Sequence, residues 1–304
     1  MTIKVFGHKN PDTDSIVSAI SMAEFLGDGA EACALGEPNP ETRFVLDKFG
    51  LKAPSVLTSA AGEDVAIVDT TEPYQLPDDL NEANIKWIVD HHNLGGLKTN
   101  APTSAMIFPN GSTNTIVFSL FKYAGRMPSK AVAGAMVCAI LSDVVMFKSP
   151  TATPRDREAV TELSSHAGID WQNVGMDMLR VKSSIEHEPA GALLNRDLKV
   201  FDFNGYKIAG GQIELVDMTL ADSKIDDLRA EMKKLHEGGD LFGVMLMITD
   251  VMAEVSHVLL ASNDNEKIAR CFDAEIVDGD KIILPGVLSR KKQIVPPMLE
   301  KMQP

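Results

Sequence analysis

One imidazole and two carboxylates lie within seven residues near the start of the chain: His8, Asp12 and Asp14. They follow the apolar stretch 3–6, and Asn10-Pro11 between them favours a turn. Carboxylates this close in sequence repel one another unless a cation or hydrogen-bond donors lie among them. The spacing therefore predicts a divalent metal site, and with it phosphate or hydrolytic chemistry.

Acidic and histidine side chains also follow two buried-type strand patterns farther along the chain. Ala66-Ile67-Val68 leads into Asp69, and Trp87-Ile88-Val89 leads into Asp90-His91-His92. The carboxyl ends of parallel strands meet at one edge of a sheet, where such folds bind ligands. A single Asp after a strand often only forms a turn, but three strand ends that all supply ligand types favour one shared metal site.

Asp143 lies inside a strongly apolar helical stretch, 139–144. A buried carboxylate needs a partner, so this residue is either a hydrogen-bonded core acid or a further metal ligand. The segment that follows, Lys148-Ser149-Pro150-Thr151, is either a plain helix end or a wall of the site. Asn110-Gly111-Ser112-Thr113 could likewise cap the next helix or bind an anion at its N-terminus.

Three adjacent cations, Arg290, Lys291 and Lys292, form the last cluster that could do chemistry. Such a run usually forms a solvated surface, yet Gly286 before it and Pro296-Pro297 after it indicate a shaped loop. Arg and Lys together suit phosphate, because the guanidinium gives bidentate contacts and the ammonium a point charge. The formal net charge of −14 opposes binding of nucleic acid, whereas a small anion could still bind at a local cluster of cations.

An alternating α/β frame would bring these residues together, and the first half of the chain predicts one. Thr153 as N-cap and Pro154 at the first helical position mark one helix start. We predict strands at 3–6, 31–35, 65–68, 86–89 and 105–108, and helices at 15–26, 40–49, 113–124, 130–146, 154–166 and 171–180. The expected fold is an N-terminal, mainly parallel sheet flanked by helices.

The second half of the chain predicts a smaller, mixed-sheet α/β domain. Strands at 199–203 and 206–216 flank Asn204-Gly205, which is a strong two-residue hairpin signal. Helices are predicted near 223–236 and 266–272, with strands at 241–248 and 257–261. We place the first domain at 1–185, a hinge linker at 186–193 and the second domain at 194–304.

The overall composition is that of an ordinary globular protein with one large or two compact domains, with 304 residues of which 44% are hydrophobic and 24% charged. No stretch is long and apolar enough to cross a bilayer, and Met1-Thr2-Ile3-Lys4 runs into a strand without a signal-peptide core. Three cysteines offer neither a disulfide framework nor a zinc pattern, so we expect a cytoplasmic protein. Histidines without ligand-type neighbours are expected to be structural: His166, His187, His236 and His257.

Taken in order, the motifs resemble the family II inorganic pyrophosphatases, the manganese-dependent members of the DHH phosphoesterase superfamily. The resemblance covers nearly the whole chain and rests on His8-x3-Asp12-x-Asp14, Asp69, Asp90-His91-His92, Asp143 and Ser289-Arg290-Lys291-Lys292-Gln293. The Asp-His-His triplet marks the superfamily, whereas the Ser-Arg-Lys-Lys-Gln motif is more specific to the pyrophosphatases. The family usually has a His after the acid that matches Asp69, but this chain has Thr70.

The resemblance implies hydrolysis of inorganic pyrophosphate to two orthophosphates. Two Mn²⁺ per subunit are implied, with Co²⁺ as a substitute, and additional Mg²⁺ or Mn²⁺ with the substrate. The implied metal ligands are His8 and Asp12 for one ion, Asp14, His91 and Asp143 for the other, and Asp69 between them. The implied substrate-binding and catalytic residues are His92, as phosphate contact and proton donor, and Lys199, Ser289, Arg290 and Lys291.

In that family a hydroxide between the metals attacks one phosphorus in line, and cations offset charge on the phosphates. The resemblance makes 1–185 the metal-binding catalytic domain and 194–304 the substrate-binding domain, and we expect closure about the hinge at 186–193. It also implies a homodimer, without nucleic-acid or membrane partners.

Two alternatives stay open. An exopolyphosphatase or another DHH-type phosphoesterase would share the metal ligands; the nuclease branch typically carries a Gly-Gly-Gly-His type motif, whereas this chain has Gly238-Gly239-Asp240-Leu241. A non-catalytic metal or nucleotide sensor is the other alternative. A sensor would not need the full ligand set together with the cationic cluster.

Overall fold

The computed structural model describes residues 2–303, which fold into two compact units that divide between Lys182 and Ser183. Each unit is built around its own β-sheet. The domain boundary at 185 and the hinge at 186–193 stay predictions. The second half of that hinge lies in a helix that begins at Ala190.

The sheet of the first unit has six strands, and all its neighbouring strands are parallel. The strands are β1 (Ile3–Phe6), β2 (Ala30–Ala34), β3 (Ser55–Val56), β4 (Asp64–Val68), β5 (Asn84–Asp90) and β6 (Ser104–Ile107). Their order across the sheet is β3-β2-β1-β4-β5-β6. Val65, Ala66, Ile67 and Val68 are fully buried, as expected for a parallel strand that is covered on both faces.

Six α-helices accompany this sheet, and their start signals are mostly local. They are α1 (Thr13–Leu26), α2 (Pro40–Phe49), α3 (Thr113–Tyr123), α4 (Lys130–Asp143), α5 (Pro154–Ala167) and α6 (Trp171–Lys182). Short 3₁₀ turns occur at Pro73–Gln75 and Leu80–Glu82. Helix α4 is apolar on every side because it packs against α1, α5 and α6, which is the pattern of a buried helix.

The order of strands in the first sheet explains where a site can form. β1 and β4 are neighbours, and from this pair the chain proceeds outward on both sides of the sheet. Such a reversal leaves a crevice at the carboxyl ends of the central strands. The segments that begin at Gly7, Asp69 and His91 follow β1, β4 and β5, and these segments carry the predicted ligands.

The second unit has a five-stranded mixed sheet. Its strands are β7 (Lys199–Phe203), β8 (Tyr206–Leu215), β9 (Gly243–Asp250), β10 (Val255–Ser262) and β11 (Lys281–Pro285), in the order β11-β10-β9-β8-β7. β8 and β9 are parallel, and the other neighbours are antiparallel. Asn204 and Gly205 both have positive φ, 55° and 92°, which is the backbone of the predicted hairpin turn.

Helices complete the second unit and cover both faces of its central strand. They are α7 (Ala190–Asn195), α8 (Ile225–Glu237), α9 (Asn265–Arg270) and α10 (Val295–Lys301), with a 3₁₀ segment at Met218–Lys224 and a π-helical turn at Arg290–Ile294. On β9, Val244, Leu246 and Ile248 belong to one apolar core and Met245 and Met247 to another. The run predicted as a strand at 241–248 is therefore a strand that is buried on both faces.

The predicted fold class, a parallel sheet flanked by helices followed by a smaller mixed-sheet domain, is confirmed. The predicted helix 130–146 was wrong at its end, because α4 stops at Asp143. The helix predicted at 223–236 is α-helical only from Ile225, after the 3₁₀ segment. Within residues 2–303, no helix has both the length and the hydrophobicity that crossing a membrane requires.

Candidate metal centre

His8 and Asp12 come from the loop between β1 and α1, and close packing shapes that loop. A Cβ at Gly7 would lie 2.0 Å from Ser15 Oγ, so only glycine fits there. Ser15 Oγ accepts a hydrogen bond from His8 N, and Asp12 Oδ1 caps α1 by accepting from Ser15 N at 2.9 Å. The loop thus brings His8 and Asp12 to the carboxyl end of β1.

Asp69 directly follows β4, and its backbone is left-handed, with φ 62°. Asp is one of the few residues that tolerate this conformation. The chain turns there while Asp69 N still donates to Val89 O of β5 at 2.9 Å. The Asp69 side chain is 2% exposed. Thr70 beside it donates to Gln75 Oε1 and accepts from Glu72 N, so this hydroxyl holds the turn that follows Asp69.

The side chains of Asp90, His91 and His92 have three different surroundings. Asp90 is fully buried, and its Oδ1 accepts from both His92 N at 3.1 Å and His92 Nδ1 at 2.9 Å. Its Oδ2 has no hydrogen-bond partner among the described residues. His91 Nδ1 donates to Asn110 O at 3.0 Å, which leaves Nε2 to face the acids. Asp90 therefore orients His92, and His91 points into the cluster.

The N-terminus of α3 holds Asp14 and was only partly anticipated. Ser112 caps α3, and its hydroxyl donates to Asp14 Oδ1 at 2.5 Å. Thr113 N donates to Asp14 Oδ2 at 2.7 Å, and Asn114 Nδ2 donates to Oδ1 at 2.8 Å. Both interpretations of this segment, as a helix cap and as an anion-binding helix N-terminus, therefore apply. The group bound at the N-terminus is the carboxylate of Asp14 from the same chain.

Asp156 supports the segment before α3, and the sequence did not predict this role. It is fully buried, forms the capping box of α5 with Thr153, and accepts from Gly111 N at 2.9 Å and Thr115 Oγ1 at 2.6 Å. The cap was readable from the sequence, whereas the two contacts to the segment before α3 bridge more than 40 residues. Asp156 thereby fixes the segment that holds His91 and Asp14.

Asp143 is the last residue of α4, and an unusual turn follows it. Val145, Met146 and Phe147 have left-handed φ values of 46°, 51° and 66°. A Cβ at Gly175 would lie 2.4 Å from Met146 Sδ, so this glycine makes room for the methionine. Phe147 contacts the ring of Trp171 edge-on and lies 4.3 Å from the Arg157 guanidinium. Tertiary packing therefore stabilises a left-handed turn, a backbone conformation that is unfavourable for L-residues.

Six of the predicted residues fall into two compact groups of possible metal ligands, and Asp69 lies within 4 Å of a histidine of each group. His8 Nε2 lies 3.6 Å from Asp12 Oδ1 and 3.5 Å from Asp69 Oδ2. His91 Nε2 lies 3.4 Å from Asp69 Oδ1 and 3.9 Å from Asp143 Oδ2. The compact groups of possible ligands are His8 with Asp12 and Asp69, Asp14 with His91 and Asp143, and Asp69 with His91 and His92. An open cleft of about 440 Å³ is lined by five of these residues, Asp12, Asp69, His91, His92 and Asp143, and its wall also includes Ser149 and Thr151.

The acids in this cleft have unusual pKa values. Burial and, after it, the negative charge of Asp69 raise the pKa of Asp14 to about 7. Burial likewise raises the pKa of Asp143, with the charges of Asp14 and Asp69 adding to it. Burial alone would raise the pKa of Asp69 too, but the imidazoles of His8 and His91 hold it well below its usual range.

The two histidines show the complementary effect. Burial lowers the pKa of His8, but the neighbouring carboxylates of Asp12 and Asp69 outweigh it and raise the pKa to about 11. The pKa of His91 rises to about 9, because contacts with Asp69 and the charge of Asp14 outweigh burial. In the metal-free protein, the protons on the two histidines thus offset the negative charge of the acids. Divalent cations would do so more effectively, and imidazole nitrogen with carboxylate oxygen suits Mn²⁺.

The second unit separates the members of its cationic motif. Gln293 Oε1 accepts from Leu288 N and Ser289 N, both at 3.0 Å, and Ser289 Oγ accepts from Lys292 N. These two side chains shape the loop. Arg290 is buried, whereas Lys291, Lys292 and Lys199 are exposed. The histidines expected to be structural join no metal-type group in residues 2–303.

Comparison with known proteins shows which family this chain belongs to. Two family models match, the DHH family N-terminal domain over residues 2–140 and the DHHA2 domain over residues 176–301. The manganese-dependent inorganic pyrophosphatase of Methanocaldococcus jannaschii is 42% identical over 305 residues, with 97% of each chain covered. The chain belongs to the manganese-dependent inorganic pyrophosphatases. The same enzyme of Methanothrix thermoacetophila is 41% identical over 303 residues, again with 97% of each chain covered.

Solved structures agree with membership of this pyrophosphatase family. The crystal structure of a candidate family II inorganic pyrophosphatase from Methanococcus jannaschii is 38% identical, with a TM-score of 0.61 over 98% of this chain and 99% of that one. An exopolyphosphatase-related protein from Bacteroides fragilis is 16% identical, with a TM-score of 0.51 over 99% and 92% of the two chains. The latter shares the fold, and its low identity carries no conclusion about substrate.

Proposed function

We propose that this chain hydrolyses inorganic pyrophosphate to two orthophosphate ions and uses two Mn²⁺ ions to do so. The observation that carries the proposal is the position of Asp69, whose two carboxylate oxygens face histidines of different ligand groups. Two metals that share a ligand are the arrangement that serves displacement at phosphorus. The names of the relatives, which describe those proteins, point to pyrophosphate as the substrate.

The ligand assignment follows from the two groups. We assign His8 and Asp12 to one ion, Asp14, His91 and Asp143 to the other, and Asp69 to both. When bound, the ions would lower the pKa of a water molecule and offset charge on phosphoryl oxygens. Because Nδ1 of His8 and of His91 donates to a backbone carbonyl, both imidazoles present Nε2 as the ligand atom, and this support fixes ring orientation.

The reaction needs one proton for the departing phosphate. Water loses one proton to the solvent as its oxygen bonds to one phosphorus in line with the bond to the bridging oxygen, that bond breaks, and the departing phosphate takes up one proton, so that no proton is consumed overall. We assign this proton to His92, whose side chain is half exposed and lines the cleft. The hydrogen bond with Asp90 raises the pKa of His92 more than burial lowers it, which favours the protonated ring that a proton donor needs.

The second unit supplies positive charge for the phosphates in this proposal. The ammonium groups of Lys199 and Lys291 are exposed and serve as mobile point charges, while Arg290 offers a fixed guanidinium. Ser289 acts through the loop that it caps. Such cations stabilise charge that develops on the transferring and departing groups.

Several finer features remain proposals by family resemblance. They are replacement of Mn²⁺ by Co²⁺, additional Mg²⁺ or Mn²⁺ that arrives with the substrate, assembly as a homodimer, and a cytoplasmic location.

Phosphate release after metal stripping tests the function most directly. The protein is treated with chelator and supplied separately with Mn²⁺, Co²⁺, Mg²⁺ or Zn²⁺, and phosphate release is measured from pyrophosphate, long polyphosphate and a dinucleotide. We expect turnover of pyrophosphate with Mn²⁺ or Co²⁺ and little turnover of the other two substrates. Faster turnover of polyphosphate would favour an exopolyphosphatase, and no turnover with any metal would favour a sensor.

A further inference from the structure

The guanidinium of Arg290 is held inside the second unit by three hydrogen bonds. Its Nη1 donates to the backbone oxygens of Asp197 and Gly210, the latter at 2.8 Å, and its Nη2 donates to Asp197 Oδ2 at 2.8 Å. The side chain is only 9% exposed, and the ring of Phe201 lies 5.8 Å from Cζ. A charge this buried needs a charged partner, and Asp197 is that partner.

These bonds determine which edge of the guanidinium stays available. An arginine has five N–H donors, and both donors of Nη1 and one of Nη2 are used. Because Nη1 and Nη2 both reach Asp197, the terminal edge is occupied. Nε–H and the second Nη2 hydrogen have no hydrogen-bond partner among residues 2–303. These two donors are parallel and form the fork that matches two oxygens of one phosphoryl group.

The second oxygen of Asp197 contacts another predicted phosphate contact. Asp197 Oδ1 lies 3.5 Å from the ammonium of Lys199, at the start of β7. One carboxylate therefore connects the buried guanidinium and the exposed ammonium. Burial would raise the pKa of Asp197, but the hydrogen bond and charge of Arg290 outweigh it and hold the pKa below its usual range. The acid is thus ionised at neutral pH.

We propose that Asp197 is a positioning residue for substrate binding, which orients Arg290 so that its Nε and Nη2 donors face a phosphoryl group and keeps Lys199 beside it. This inference rests on the proposed function. Plain electrostatics predicts the opposite role, because an acid near the binding cations repels an anionic substrate and its removal would tighten binding. The sign of the effect therefore separates the two explanations.

Steady-state kinetics on pyrophosphate with the Mn²⁺-loaded full chain tests the proposal. Asp197→Asn keeps the side-chain shape and removes the charge. We expect KM to rise by about tenfold or more, as loss of a charge-assisted hydrogen bond implies, with kcat changed less than about threefold. The matched control is Asp202→Asn on β7, the strand that follows Asp197; among the described residues, its carboxylate accepts only from Gly205 N in the hairpin. The control should change KM less than about twofold.

A double-mutant cycle shows whether Asp197 acts through Arg290. Arg290→Lys removes the fork, so adding Asp197→Asn to it should change KM by less than about twofold. A fully additive rise in the double variant would overturn the proposal, as would an unchanged or lowered KM in Asp197→Asn alone. If Asp197→Asn does not fold by circular dichroism, Asp197→Glu replaces it; this variant keeps the charge but moves the carboxylate, and an unchanged KM would count against the proposal.

The wild-type protein distinguishes failure of the two proposals. A wild type that releases no phosphate from pyrophosphate with Mn²⁺ overturns the proposed function and this inference with it. An active wild type whose Asp197→Asn variant behaves like Asp202→Asn overturns the positioning role alone.

Discussion

Mn²⁺ binding to the metal-stripped protein should release protons, and the pKa values of the ligands set the number. His8 and His91 have pKa values of about 11 and about 9 in the protein alone, so both are charged at neutral pH. A histidine binds a metal as the neutral imidazole. Each of the two must therefore lose its proton when both ions bind.

The count and its pH dependence follow from these values. At pH 7.5 the two histidines release about two protons between them. Asp14, with a pKa of about 7, is mostly protonated at pH 6 and mostly ionised at pH 8, so it raises the release to about three at pH 6. The raised pKa of Asp143 adds to the release at low pH. Release falls as pH rises, and apparent Mn²⁺ affinity rises with pH throughout, because protons compete with the metal.

Isothermal titration calorimetry in buffers of different ionisation enthalpy measures this number at a fixed pH. His91→Gln should lower the number of protons released by about one at pH 7.5 and weaken the binding of one Mn²⁺ ion. His166→Gln is the control, because His166 binds Pro128 O and joins neither group. Net release below about half a proton at pH 7.5 would refute the assignment of protonated histidines as ligands.

Further variants test other parts of the structure. Asp69→Asn keeps a residue that tolerates the left-handed backbone but removes the charge that both ions share. Calorimetry should therefore show weaker binding of both Mn²⁺ ions; two sites of unchanged affinity would contradict the assignment of Asp69 as a ligand of both. Val145→Gly should raise the free energy of unfolding of the metal-stripped protein in urea by about 1 kcal/mol, because glycine adopts a left-handed φ without steric strain; a loss would show that the valine side chain contributes more than the strain. Asp156→Ala should lower that free energy by about 3 kcal/mol, since buried donors lose their acceptor, and a change below about 1 kcal/mol would show that other groups replace it. Lys291→Ala should raise KM for pyrophosphate and leave Mn²⁺ binding unchanged; an unaffected kcat/KM would remove this residue from substrate binding.

The sequence allowed prediction of the parallel sheet and of the residues that its carboxyl edge brings together. His8, Asp69 and His91 each follow a strand whose apolar run is easy to recognise, and parallel strands place such positions side by side. The partners of Asp14 were harder to predict, because Ser112 and Asn114 lie about 100 residues away in the chain. The capping signal at Ser112 was visible, whereas the acid that it receives depends on tertiary structure.

The end of α4 could not be predicted, and the reason is physical. Residues 144–149 contain no glycine or proline, and the apolar pattern continues to Phe147. The helix stops because Met146 fits over Gly175 and Phe147 packs against Trp171. These contacts come from α6, and no local propensity encodes them.

The cationic motif shows a similar limit. Adjacent cations in a sequence resemble a single charged surface, and nothing local distinguishes Arg290 from Lys291. The π-helical turn at Arg290–Ile294 directs the arginine inward to Asp197 and leaves the lysine exposed. Strand β11 and helix α10 were missed because each is short, and α10 contains two prolines in its first turn.

The order of the ligands along the chain has a consequence for biosynthesis. His8, Asp12 and Asp69 all lie in the first quarter of the sequence, and their group is complete once Asp69 has left the ribosome and β4 has paired with β1. The group of Asp14, His91 and Asp143 must wait until α4 is made, and it also needs the N-terminus of α3 to hold Asp14. A nascent chain would therefore acquire its two metal sites in a fixed order, with Asp69 present in the first and ready to join the second.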